Sequence, residues 1–97
     1  MLAKTLAKIR ACIRSGKYEA TTHANDEMAE DGLDIIDVES SIVLGSIVRI
    51  LKNDPLGVKY IVHGPAKHAG TIVCTVGRFT ASGRYRIITI YAVQFEN

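Results

Sequence analysis

The chain has 97 residues, of which 47% are hydrophobic and 23% are charged, and its formal net charge at pH 7 is +2. This length and composition predict one folded domain over residues 1–97 and exclude a disordered chain, because glycine and proline are few. No apolar run approaches the roughly 20 residues of a membrane-spanning helix, so we expect no membrane partner.

The two cysteines, Cys12 and Cys74, are far apart and match no metal-ligand spacing. The N-terminus lacks the apolar core of a secretory signal, so we expect free thiols in a reducing cytoplasm. His63, His68 and Cys74 form no known zinc pattern. We therefore expect no metal and no other cofactor.

The charged residues are segregated along the chain. Residues 1–18 carry five basic residues and no acid, residues 19–39 carry eight acids and no Lys or Arg, and residues 40–97 carry seven basic residues and two acids. Two interpretations stay open. Either the surface is dipolar, with a basic face for phosphate and an acidic face for a basic partner, or the basic first segment packs on the acidic second one.

The first predicted element is a basic amphipathic helix within residues 1–17. Its apolar residues Leu2, Leu6, Ile9 and Ile13 recur at helical spacing. Packing on the core is the expected role of this stripe. An acid-free amphipathic start is also typical of a transit peptide or of a helix on a membrane surface.

Two short helices joined by a tight turn are predicted next, followed by a change to extended structure. Thr22 can cap the first helix, and Gly32 can close it in the left-handed conformation. Asp34 can cap the second helix, Ile35–Leu44, which Gly45 closes.

His23 lies at the mouth of the first of these two helices. The positive end of the helix dipole favours a neutral imidazole there, which suits a general base. The alternative is that His23 only bonds a nearby carbonyl group and fixes the turn.

Four strands are predicted from residue 46 onward. They cover residues 47–51, 58–63, 71–79 and 85–93, and turn residues separate them. Helices that precede such a meander predict an α+β fold, a two-layer sandwich in which N-terminal helices pack on a four-stranded, mainly antiparallel sheet.

The sheet face that the helices leave free is the place where a ligand can bind. Alternation places Arg84 and Arg86 on the opposite face of the last strand from Thr89 and Tyr91. Both arginines lie near the start of that strand, from where a long side chain can reach around the edge to the free face. Alternation along the strands predicts five residues on the free, more polar face, which are Thr75, Thr89, Tyr91, Lys59 and His63.

Several short motifs, in this order, resemble a small bacterial domain of unknown function. The similarity covers residues 18–93, and the motifs are Thr22-His23-Ala24, Met28, Gly32-Leu33, Asp37-Val38, Gly45, segment 60–64 and the Ile-Thr-Ile-Tyr end of segment 87–91. That family is similar to RelE/ParE-type and BrnT-type toxins of bacterial toxin–antitoxin modules, many of which are metal-independent ribonucleases. The resemblance implies a RelE/ParE-like fold, RNA as substrate and an antitoxin-like protein partner.

The chain departs from this pattern at two positions. Glu27 and Asp31 stand where many relatives have arginine. This helix therefore lacks two cations that a phosphate group would meet.

Metal-independent RNA cleavage requires a base for the 2′-hydroxyl, a cation for the phosphate and an acid for the leaving 5′-oxygen. The catalytic candidates are His23, His63, Arg86 and Tyr91, and the substrate-binding candidates are Lys59, Arg78 and Arg84.

Two alternatives to this ribonuclease hypothesis stay open. The arginines can serve solubility alone, with Tyr91 an ordinary aromatic residue on a strand surface. The rival function is a non-catalytic interaction module, which binds a protein partner or forms a homodimer through a sheet edge.

Overall fold

The computed structural model describes residues 2–68 and 70–93, which form three helices and five strands. The strands make one sheet in the order β1-β5-β4-β3-β2, in which only the β1–β5 pair is parallel. This confirms the α+β fold, with five strands instead of the predicted four. The elements are α1 (Leu2–Arg14), β1 (Tyr18–Ala20), α2 (Thr22–Glu30), α3 (Ile35–Leu44), β2 (Ser46–Leu51), β3 (Lys59–Pro65), β4 (Ile72–Phe79) and β5 (Tyr85–Val93).

The strand that the sequence pattern does not predict is β1. It has only three residues, which pair with the start of β5, and so short a segment shows no clear alternation. The chain is still extended at Thr21, whose side chain accepts a hydrogen bond from the Ala24 N–H at 3.1 Å and caps α2. The prediction that Thr22 caps this helix is therefore wrong, since the cap is the preceding residue, Thr21.

The turn between α2 and α3 follows its sequence signals. Gly32 has a φ of 67°, and the Leu33 N–H donates to the Met28 carbonyl, as in a helix end closed by a left-handed glycine. Asp34 caps α3 and forms a reciprocal capping box with Asp37. These local hydrogen bonds fix the angle between the two helices.

The end of α3 packs very closely on β3. Gly45 is the C-cap, but its backbone is extended rather than left-handed. Glycine is required there and at Gly64 because an added Cβ would collide with the Ser41 carbonyl in both cases. Arg10 of α1 donates to the Gly45 carbonyl at 2.9 Å, which places a positive charge at the negative end of α3.

The hydrophobic core lies between one face of the sheet and the helices. Helix α1 packs mainly on α3, and α2 packs beside β5. Within residues 2–68 and 70–93, no basic residue of α1 forms an ion pair with an acid. No helix in the described part of the chain is long and apolar enough to cross a membrane. The fully buried core side chains are Ile9, Ala24, Val38, Ile42, Val62, Val73, Tyr85, Ile87 and Ile90.

Helix α2 closes the edge of β5 beyond the short strand β1. The Glu27 carboxylate accepts a hydrogen bond from the Ile90 N–H at 3.3 Å, and the Asp31 carboxylate accepts one from the Ala92 N–H at 2.7 Å. Residues four apart in a helix are separated by about 6 Å along its axis, and alternate strand residues by about 6.6 Å. The spacing of the two carboxylates therefore matches two successive outward N–H groups of β5.

Candidate functional site

The face of the sheet opposite the helices, called the open face below, carries most of the predicted site residues. Residues paired across neighbouring strands point to the same side, and neighbours along a strand point to opposite sides. Val62 and Ile90 lie in the core, so the positions next to them along β3 and β5 lie on the open face. One cross-strand row on this face consists of His63, Cys74 and Tyr91.

The prediction that Thr75 lies on the open face is wrong. Thr75 pairs with Val62 on one side and Ile90 on the other, it is fully buried, and its hydroxyl has no hydrogen-bond partner among the described residues. Both faces of strand β4 are mostly apolar, so the single hydroxyl of Thr75 does not indicate which face of the strand points to solvent. Thr89 does lie on the open face, paired with Val76.

A β-bulge in β5 places Arg86 on the open face as well. The register of the β4–β5 pair shifts between Val76 and Gly77, so that β5 contains one inserted residue. Arg86 pairs with Arg78 on the far side of the shift. Arg78 lies on the same face of β4 as Val76, and Val76 pairs with Thr89 on the open face. Arg86 therefore lies on the open face too. The prediction that Arg86 lies on the opposite alternate is wrong, because simple alternation ignores the inserted residue.

His63 and Tyr91 flank Cys74 from two sides. Neighbouring strands lie about 4.8 Å apart, so the backbones of His63 and Tyr91 are separated by about 10 Å. Tyr91 is 42% exposed, and His63 is partly exposed, whereas Cys74 is buried. A group that lies over Cys74 can therefore be approached by an imidazole from one side and a phenol from the other.

The surroundings of Tyr91 keep its side chain protonated. A side-chain hydrogen bond with Cys74 raises the pKa of Tyr91, and the charge of Glu27 acts in the same direction. Burial raises the pKa of the Cys74 thiol. Tyr91 therefore carries its proton at neutral pH, and Cys74 lacks the thiolate character of a nucleophile.

His23 lies at the edge of the sheet, on the other side of Tyr91 from His63. Its side chain is 69% exposed, and its Nε2 lies 3.1 Å from the Glu27 carboxylate, which also accepts the Ile90 N–H. The structure gives His23 a carboxylate partner, in place of the backbone carbonyl that the alternative interpretation requires. His23 is thus a second histidine in the neighbourhood of Tyr91.

The predicted arginines occupy the other end of the open face. Cys74 and Arg78 are separated by four residues along β4, or about 13 Å. Arg86 pairs across the strands with Arg78, and its Nε lies 2.9 Å from the Glu19 carboxylate. The Nε of Arg84 lies 3.6 Å from the same carboxylate group. The structure therefore brings these arginines together but does not bring them next to the His63–Tyr91 row.

Arg49 is a candidate that the sequence analysis does not single out. It pairs with Ile61, which is two residues from His63 on β3, or about 7 Å along the strand. The Arg49 side chain is exposed and forms no ion pair with any described acid. A register shift between Ile47 and Arg49 turns Arg49 to the open face, and no sequence signal marks that shift.

The His63–Tyr91 row lines neither of two cavities found elsewhere on the molecule. A cavity of about 650 Å³ lies between α1, α3 and the end of β3, and none of the predicted site residues lines it. A second cavity, of about 350 Å³, lies at the β2–β3 turn and includes Arg49 and Lys59. No cluster of three His, Cys, Asp or Glu side chains that would hold a metal occurs in the described ranges.

Comparison with known proteins identifies one family. A family model described as a domain of unknown function (DUF4258) matches residues 20–92, which include all seven predicted site residues and leave out α1. No curated protein and no solved structure matches the chain.

Proposed function

Since the chain belongs to the DUF4258 family, a domain of unknown function, we propose its activity from the site: it is a metal-independent endoribonuclease whose open face binds RNA. One observation carries the proposal. A histidine and a protonated tyrosine flank the same position on the open face, and Arg49, which has no acid partner among the described residues, pairs with Ile61, two residues from His63.

The proposed reaction is a transesterification followed by product release. His63 accepts the proton of a ribose 2′-hydroxyl, and the 2′-oxygen attacks the adjacent phosphorus. The bond from phosphorus to the 5′-oxygen breaks, and Tyr91 donates its proton to that oxygen. The products are a 2′,3′-cyclic phosphate and a 5′-hydroxyl, and Arg49 stabilises the charge on the non-bridging phosphate oxygens.

Electrostatics support RNA as the ligand of this face. Lys59, Arg78 and Arg86 extend the positive charge away from the His63–Tyr91 row, with Arg84 beside them. Single-stranded RNA is bound by such charges together with exposed aromatic rings on which bases stack. The exposed ring of Tyr91 offers a stacking surface.

The resemblance to RelE/ParE-type and BrnT-type toxins supports the same proposal. A toxin of this kind would act on cellular RNA and be held inactive by an antitoxin-like protein. Glu27 and Asp31, which replace two arginines of that pattern, have a structural role instead, since their carboxylates accept hydrogen bonds from the backbone of β5.

The test is an RNA cleavage assay in the presence of EDTA. We expect the wild type to cleave, and His63→Ala and Tyr91→Phe each to lose about 10²–10⁴-fold in rate. His68→Ala is the matched control, because His68 contacts Asp37 through its backbone N–H, which alanine retains. His23→Ala and Arg86→Ala are assayed in the same way. A loss of cleavage rate in either variant would show that His23 at the sheet edge, or the more distant Arg86, contributes to cleavage.

Two outcomes would contradict the proposal. One is no cleavage above buffer, and the other is equal cleavage by the wild type and by all folded variants. An inactive wild type whose molar mass by light scattering exceeds that of a monomer would support the rival function, a homodimeric interaction module.

A further inference from the structure

The cavity at the β2–β3 turn has an unusual concentration of basic side chains. It is lined by residues 49–54 and by Lys59, and its volume is about 350 Å³. Arg49, Lys52 and Lys59 contribute three positive charges, and Asp54 contributes the one acid of the lining.

The charge of Asp54 is already balanced within the cavity. Its carboxylate lies 2.9 Å from the Lys59 ammonium group and accepts the Leu56 N–H at 2.8 Å. The hydrogen bond from Lys59 is the main reason why the pKa of Asp54 is lowered. Arg49 and Lys52 have no acid partner in the described part of the chain, so the cavity carries a net positive charge.

The cavity continues the open face toward its far end. Lys59 is four residues from His63 along β3, or about 13 Å. One phosphate group cannot contact the cavity and the His63–Tyr91 row at the same time. A strand of nucleic acid that crosses the His63–Tyr91 row can, however, reach the cavity with another of its phosphates.

We propose that this cavity is a phosphate-binding subsite for a nucleotide next to the cleaved one. A lysine supplies a compact point charge for a phosphate. Lys52 lines the cavity, has no acid partner among the described residues and is not assigned to the cleaved phosphate, so it is the residue expected to bind the neighbouring phosphate. The identity of the ligand as RNA rests on the proposed function. The binding of phosphate at the cavity does not require that cleavage occurs.

The experiment separates binding from cleavage by the choice of probe. A fluorescent deoxythymidine hexanucleotide lacks the 2′-hydroxyl, so it cannot be cleaved by the proposed mechanism. Its Kd is measured by anisotropy at several salt concentrations for the wild type, Lys52→Ala and Lys4→Ala. Lys4 is exposed on α1 and does not line the cavity, so Lys4→Ala removes the same charge from outside the cavity lining.

We expect Lys52→Ala to weaken binding at least about fivefold and to reduce the slope of log Kd against log salt by about 0.7, the contribution of one single-strand phosphate contact. Lys4→Ala is expected to change neither quantity. Equal weakening by the two variants, or none by Lys52→Ala, would overturn the subsite. A wild type that binds through Lys52 but cleaves no RNA would overturn the ribonuclease proposal and leave the subsite in place.

Discussion

Asp37 is the acidic residue whose replacement we expect to cost the most stability. It is only 5% exposed, and its carboxylate accepts the N–H groups of Asp34 at 3.1 Å and of His68 at 3.0 Å. The carboxylate thereby joins the start of α3 to the loop that follows β3. These hydrogen bonds lower the pKa of Asp37, and the one from His68 is the largest cause.

Asp37→Asn keeps the shape of the side chain but turns one acceptor oxygen into an amide donor. At least one of the two charge-assisted hydrogen bonds is lost, and each such bond contributes about 1.5–3 kcal/mol. We therefore expect the free energy of unfolding to fall by about 1.5–3 kcal/mol at neutral pH. Urea denaturation followed by circular dichroism measures this difference.

The same variant has a defined pH dependence. The pKa of Asp37 is lower in the folded state than its unfolded value of about 3.9, so its contribution is fully present above that pH. The contribution is lost as the pH falls through the folded-state pKa, and the wild type and Asp37→Asn then converge in stability. Asp26→Asn, which removes an exposed charge from α2, should cost less than about 0.5 kcal/mol. A difference between the wild type and Asp37→Asn that stays constant down to about pH 2 would refute the reasoning.

Two further predictions concern packing and proton affinity. Gly64→Ala should lower the free energy of unfolding by about 3 kcal/mol, because the new Cβ meets the Ser41 carbonyl. Gly70→Ala, whose Cβ meets no atom within 4 Å, should be nearly neutral, and equal costs in urea denaturation would contradict the close contact. Cys74→Ala should lower the pKa of Tyr91 toward its usual value near 10, since the side-chain hydrogen bond with Cys74 is the largest cause of the increase. A pH titration of the Tyr91 ring carbons by NMR measures this, and an unchanged midpoint would assign the increase to another group.

The sequence predicts the helices well because their ends are encoded by local residues. Gly32 supplies a left-handed backbone, and Asp34 supplies a capping carboxylate within three residues of its partner. Neither interaction depends on the rest of the fold. The cap at Thr21 is missed because it depends on β1, whose pairing with β5 involves residues far away in sequence.

The candidate site is less predictable because register decides which side chains share a face. The prediction places Tyr91 and His63 correctly, since both sit in strands with clear alternation. It misplaces Arg86 and overlooks Arg49, because a register shift separates each of them from part of its own strand. An inserted residue reverses the relation between the faces on its two sides, and a single sequence carries no strong signal for it.

The two carboxylates that cover β5 also limit how copies of this protein can assemble. On one side of the described sheet, β1 offers only three residues, and Glu27 and Asp31 occupy successive N–H groups of β5 beyond it. On the other side, the six-residue strand β2 has no neighbour on its outer side within the described residues. A fibre built by strand pairing requires two long free edges on every copy. Strand pairing through β2 would therefore use the one long free edge of each copy in the described sheet and end at two copies.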